Sequence, residues 1–308
     1  MEIRGAGRIA REAAAALRDH AAGLDDQDTA SFVRSMQGAA DLLLATRPTA
    51  VSLPNAVQSV MRSLEGTGSV EEAKATIKAA ADSFILASRH AVEWIGEIGA
   101  RHISDGDVVL THCNSEAALS CILTAHSQGK EIEVFATEVR PRNQGLLTIR
   151  TLNDAGIRTN FIVDSAVRSY INDVDLVITG ADAITVNGAV VNKIGTAQIG
   201  LAAHEARTPM LVAAETYKFA PRTILGERIT IEERETGEVL DPAIAAALPH
   251  VRVRNPAFDV TTARYVDLIV TEMGAIPPAM AYIIIRDHLG WGIGEFHKEF
   301  EIDHIIQE

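Results

Sequence analysis

From Asp107 to Thr271 the chain alternates short β-branched runs with helical runs, and this alternation limits the fold more than any other feature. Val108–Leu110, Ile132–Phe135, Thr159–Val163, Val174–Ile178, Met210–Val212, Val251–Val253 and Leu268–Val270 read as buried strands. Glu116–Gln128, Gln144–Ala155 and Ala197–Ala206 read as helices between them. Strands joined by crossover helices build a parallel sheet covered on both faces.

The residues before Asp107 have a different texture, helical and rich in alanine. Gly7–Leu24 and Asp28–Thr46 are two helices, and a third follows Pro54, a proline suited to a first turn. A fourth opens at Ser69-Val70-Glu71-Glu72, a capping box whose side chains satisfy free helix N–H groups. Its apolar positions Ile77, Phe84, Ile85, Val92, Ile95 and Ile98 keep the helical period. The expected class is α/β. An N-terminal helical domain (residues 1–104) precedes a Rossmann-like, doubly wound, mostly parallel sheet domain (105–308), with the boundary near Ser104–Gly106.

Composition removes several functions. With 28 basic and 41 acidic residues the net charge is −13, which argues against a basic surface that wraps nucleic acid. A local basic pocket for a small anion remains compatible with it. The two cysteines, Cys113 and Cys121, make no disulfide framework and no zinc spacing, as suits a reducing compartment. The start has no apolar h-region, and no run reaches about 18 apolar residues, so a cytoplasmic protein without a membrane partner is expected.

Parallel sheets bind ligands beyond the carboxyl ends of their strands. There this chain carries Thr111-His112-Cys113-Asn114-Ser115, Gly180-Ala181-Asp182 and Glu215-Thr216-Tyr217-Lys218. Cys113 sits between a strand and a helix, where a helix N-terminus would lower its pKa and favour the thiolate. The plainer reading is a small buried core cysteine, and Cys121, in mid-helix among apolar residues, is assigned to packing. Asp182 has small apolar neighbours, and desolvation there would let its carboxyl keep a proton near neutrality. A helix N-cap or an Asx turn is its alternative. His112 should face away from Cys113, because adjacent strand residues point to opposite faces.

Anion-binding candidates gather at the same rim. They are Arg4-Gly5-Ala6-Gly7 opening a helix, Arg47 ending one, Asn114-Ser115 at a helix start, Asn192-Lys193 after the turn Asn187-Gly188, Lys218, and Arg140 with Arg142 around Pro141. Several cations at one rim imply a substrate with more than one phosphate, or a phosphate and a sugar. No metal-binding motif, P-loop or dinucleotide fingerprint is present.

Arg4-Gly5-Ala6, Arg47-Pro48-Thr49-Ala50, Thr111-His112-Cys113-Asn114-Ser115, Glu138-Val139-Arg140-Pro141, Gln144-Gly145, Gly180-Ala181-Asp182 and Asn192-Lys193-Ile194-Gly195-Thr196 occur in this order. The set resembles the superfamily that joins the regulatory subunits of translation initiation factor 2B with the sugar-phosphate aldose–ketose isomerases. Ala214–Phe219, Asn255–Val260 and Thr271–Pro278 look most like its archaeal ribose 1,5-bisphosphate isomerase branch. The resemblance implies conversion of ribose 1,5-bisphosphate to ribulose 1,5-bisphosphate in AMP degradation. It makes Cys113 the proton acceptor at C2 and Asp182 the donor, moving protons between O1 and O2 once the ring has opened. It assigns substrate contacts to Arg4, Gly5, Ala6, Gly7, Arg47, Asn114, Ser115, Glu116, Ala117, Gln144, Asn192, Lys193 and Lys218. Glu116 departs from what a phosphate-binding turn would want, being acidic. No metal or cofactor is implied. AMP is the expected activator, and a homo-oligomer, a dimer and often a hexamer built as a trimer of dimers, is the expected assembly. Two alternatives stay open: methylthioribose-1-phosphate isomerase, and a non-catalytic initiation factor 2B-like binding subunit, which would need neither thiol nor carboxyl.

Overall fold

The computed structural model describes residues 5–47 and 50–290. Four helices come first: α1 (Ala6–Gly23), α2 (Thr29–Thr46), α3 (Ser52–Met61) and α4 (Val70–Ala100). Asp28 caps α2 by accepting from the Ser31 N–H at 2.9 Å. Ser69 caps α4 through the Glu72 N–H at 3.2 Å, but Glu72 reaches back to the Gly68 N–H rather than to that of Ser69. Leu17, Phe32, Met36, Leu53 and Ile77 close one apolar cluster among these helices. Burial of each contributes about 1.5–3 kcal/mol, which short helices need because propensity alone holds them poorly.

The sheet region runs β1 (Val108–His112), α5 (Glu116–Ser127), β2 (Glu133–Thr137), α6 (Gly145–Asp154), β3 (Arg158–Ile162), α7 (Val167–Tyr170), β4 (Leu176–Gly180), β5 (Ala183–Ile184), β6 (Val190–Lys193), α8 (Thr196–Ala206), β7 (Met210–Ala213), β8 (Phe258–Thr261), β9 (Leu268–Thr271) and β10 (Gly274–Ile276). Seven strands form one sheet in the order β10-β9-β7-β4-β1-β2-β3. All of its pairings are parallel except β10 with β9. From β3 inward, the parallel strands follow the doubly wound order 3-2-1-4-5-6. Leu110, Val177, Val212 and Ile269 bury one face, while Val109, Ile178, Leu211 and Val270 bury the other. Continuous apolar runs are what a sheet covered on both sides requires.

One expected strand is absent. Val251–Val253 lies in a loop, with Val251 55% exposed and Val253 only partly buried, because the arginines Arg252 and Arg254 alternate with the valines and break the apolar run. A small antiparallel sheet, β5-β6-β8, takes its place in the topology. Asn187-Gly188 turns the β5–β6 hairpin as expected, with Gly188 at φ 76°. Among the described residues no helix is long and apolar enough to cross a membrane.

Helices α4 and α5 meet at Gly99. A Cβ there would stand 2.2 Å from Cys121 Sγ, so the packing role read for Cys121 holds. Alanine at a mid-helix glycine gains about 1 kcal/mol of propensity, whereas overpacking a filled contact costs about 1–3 kcal/mol. Gly99→Ala is therefore expected to destabilise the protein by up to about 2 kcal/mol in urea titration. A stabilised variant would contradict this contact.

Candidate active site

The strand order reverses between β1 and β4, so the crevice beyond their carboxyl ends is the favoured ligand position. Cys113 follows β1, and Asp182 lies two residues beyond β4. Both line one cavity of about 330 Å³, a volume suited to a small ligand. Gly180 makes the closeness possible, since a Cβ there would stand 2.3 Å from Ser115 Oγ.

Cys113 adopts φ 68°, in the left-handed region that costs a non-glycine residue about 1–3 kcal/mol. Thr148 Oγ1 donates to the Cys113 carbonyl at 2.7 Å and holds the turn. The thiol faces Gln144, its Sγ 3.7 Å from Oε1. Burial pushes this thiol up to about 11, against the pull of Lys193. That corrects the expectation of a thiol lowered by a helix N-terminus. Helix α5 begins at Glu116, and its cap, Ser115 Oγ, already accepts from the Ala118 N–H at 3.3 Å. The helix end is thus engaged by serine, and desolvation governs the sulfur.

Asp182 makes no side-chain hydrogen bond among the described residues, so it is neither a helix cap nor an Asx turn. Burial raises its pKa as expected, while Lys218, Lys193, Arg47 and Arg234 pull in the other direction. His112 turns away. Its Nε2 donates to the Ile194 carbonyl at 2.9 Å and its Nδ1 meets Thr137 Oγ1 at 2.6 Å. Burial lowers its pKa, in keeping with a neutral ring that fixes the loop after Lys193.

Of the expected contacts, Arg4 lies outside the described residues. Gly5, Ala6 and Gly7 bring the start of α1 to the cavity, and Asn114, Ser115, Glu116 and Ala117 bring the start of α5. Arg47, Gln144, Asn192, Lys193 and Lys218 line it as well. Glu116 ion-pairs with Arg11 of α1 at 3.3 Å, which explains an acid in this turn. Lys193 is carried by β6 and stacks over the Phe258 ring, 4.5 Å from its centroid. Lys218 pairs with the buried Glu215 at 2.6 Å. Burial opposes the Glu215 charge, but Lys218 and the Tyr217 hydroxyl outweigh it, so the carboxylate lies below its ordinary pKa. Arg140 does not line the cavity, although its N–H donates to Asp164 at 2.8 Å; Arg142 does, and it pairs with Glu238.

Arg8, Arg234 and Phe258 also line the cavity, although nothing in the sequence set them apart as site residues, and so does Glu215, which the sequence places beyond a strand end with Lys218. Arg234 sits in Glu232-Glu233-Arg234-Glu235, a charge run that reads as solvated surface. Altogether six cationic side chains face three carboxyl groups around the cavity of a chain whose net charge is −13. Such a focus of positive potential draws polyanions. A slightly larger cavity, about 370 Å³, opens beside Phe84 and Tyr217 but holds neither the thiol nor the Asp182 carboxyl.

Residues 2–278 match the model of the initiation factor 2 subunit family. The chain is similar to the ribose 1,5-bisphosphate isomerase of Methanocaldococcus jannaschii, at 53% identity over 94% of this chain and 92% of that protein. It is 55% identical to the ribose 1,5-bisphosphate isomerase of Archaeoglobus fulgidus, over 96% and 92% of the two chains. Among solved structures, the translation initiation factor eIF-2B of Pyrococcus horikoshii OT3 superposes with a TM-score of 0.76 and 33% identity, covering 90% of this chain and 93% of that one.

Proposed function

This chain belongs to the initiation factor 2 subunit family, and we propose that it is an aldose–ketose isomerase converting ribose 1,5-bisphosphate to ribulose 1,5-bisphosphate. The observation that carries this reading is a thiol and a carboxyl raised by burial, lining one cation-rich cavity at the sheet's switch point. Identity of 53–55% to proteins named for this isomerisation supports it over a translation-factor role, since the initiation-factor structure is 33% identical.

The chemistry needs two proton carriers. As the C1–O4 ring bond breaks, protonated Asp182 gives its proton to O4. The Cys113 thiolate removes the proton from C2, and an enol forms between C1 and C2. Asp182, now a carboxylate, takes the 2-hydroxyl proton while Cys113 returns its proton to C1. Both groups end as they began, and the C2 ketone results. O1 carries a phosphate, so O4, rather than O1, is the oxygen that Asp182 protonates. Gln144 supports the sulfur in either state, because a turned amide would offer Nε2–H to the thiolate. The starts of α1 and α5, with Lys193 and Lys218, supply N–H groups and charge for the phosphates. This reading carries with it the place in AMP breakdown, AMP as activator, the homo-oligomer and the cytoplasmic location.

Purified protein is expected to turn over ribose 1,5-bisphosphate with a kcat/KM at least about 100-fold above that for 5-methylthioribose 1-phosphate, since a lost dianion forfeits several charge-assisted hydrogen bonds. Reaction in D2O should place deuterium at C1 of the product in those turnovers in which the Cys113 thiol exchanges with solvent before it returns its proton. Preference for the methylthio sugar would move the assignment to the other isomerase class, and no turnover of either sugar would favour a binding subunit.

A further inference from the structure

Arg234 reaches the cavity from the long connection between β7 and β8. Its Nε donates to Glu232 Oε1 at 3.0 Å. The other oxygen of the same carboxylate, Oε2, lies 3.5 Å from Nη2 of Arg47, at the end of α2. One carboxylate thus joins two guanidinium groups from separate parts of the fold. All three side chains are largely removed from water, at 15% exposure for Arg234, 18% for Arg47 and 24% for Glu232. Both arginines line the cavity and Glu232 does not. The carboxylate therefore stands behind the pair rather than in the ligand's place.

Two like charges held this close repel, and in a half-buried setting the repulsion is weakly screened. A carboxylate between them lets both stay. It engages one nitrogen of each guanidinium and leaves the other donors of each five-donor fork uncommitted to it. Phe258 adds a second restraint, with the Arg234 guanidinium carbon 5.8 Å from its ring centroid. Asp182 feels the charge of both arginines, so the pair stands within electrostatic reach of the acid. Paired planar donors suit a phosphate dianion better than lysine point charges do.

We propose that Glu232 is a positioning residue that sets Arg47 and Arg234 as a paired guanidinium subsite for one phosphate of the substrate, and that Arg234 thereby favours a sugar with two phosphates over a sugar with one. The proposal rests on the isomerase reading of the same cavity.

Two measurements on the full chain test it: steady-state kinetics with ribose 1,5-bisphosphate, and calorimetric titration with ribulose 1,5-bisphosphate, which needs no turnover. Arg234→Met is expected to raise KM and weaken ribulose 1,5-bisphosphate binding by about 10- to 100-fold, with kcat within about threefold of wild type. Arg234→Lys should recover only part of this, because an ammonium has no fork. Glu232→Gln keeps size and removes charge, and should raise KM by about 3- to 10-fold. Loss confined to kcat, or unchanged KM and affinity in a folded Arg234→Lys or Glu232→Gln protein, overturns the subsite. A wild type that binds ribulose 1,5-bisphosphate through Arg234 but isomerises nothing would instead remove the isomerase reading and leave the subsite standing.

Discussion

Cys113→Ser is expected to lower kcat for ribose 1,5-bisphosphate by at least about 100-fold, with KM little changed. Serine keeps the shape of the side chain, but a hydroxyl is a far weaker acid than a thiol, so the base that must attack the C2 proton almost disappears. The thiol is already hard to ionise here, since burial pushes it up to about 11. The turn itself should survive, because Thr148 bonds the Cys113 carbonyl and not its sulfur. Thermal unfolding of the variant is therefore expected within a few degrees of wild type. The same variant should stop incorporation of solvent deuterium at C1. Turnover near the wild-type rate would take Cys113 out of the mechanism.

Much of this site was legible because a parallel sheet sorts residues by their place along a strand. Cys113 and Asp182 stand out in the sequence as polar groups just beyond β-branched runs, and strand order converts that into a shared cavity. What stayed hidden depends on contacts far apart in sequence. Strand β5 has two residues and β6 ends in Asn192-Lys193, so neither shows the apolar run of a buried strand. The pairing of β6 with β8 nonetheless brings Lys193 against Phe258. Arg234 lies among glutamates and looks like surface, yet Glu232 turns it into a wall of the cavity by bridging to Arg47. The Cys113 thiol shows the converse. A helix start in the sequence suggests an acidic thiol, but Ser115 engages the helix end and burial sets the sulfur's chemistry.

For Asp182→Asn a loss of at least about 100-fold in kcat is expected, together with a change in the form of the pH profile. Burial raises both the Asp182 carboxyl and the Cys113 thiol, the latter to about 11, so one proton is shared between them over a wide range. The reactive arrangement, thiolate beside carboxylic acid, holds the same single proton as thiol beside carboxylate. Its share of the population therefore stays constant across that range. Wild-type kcat/KM should be flat there. It should fall on the acid side as Asp182 and Cys113 both become protonated, and on the alkaline side near 11 as the last proton leaves. Asparagine cannot hold the transferred proton, so in the variant the thiolate forms only by releasing a proton to water. Residual kcat/KM should then rise about tenfold per pH unit between about pH 6 and 10, below the thiol pKa of about 11. A wild-type rate in the asparagine protein would exclude Asp182 as the acid. A weak rate that stays flat across the same pH interval would limit the carboxyl to shaping the pocket, because only loss of the shared proton steepens the dependence.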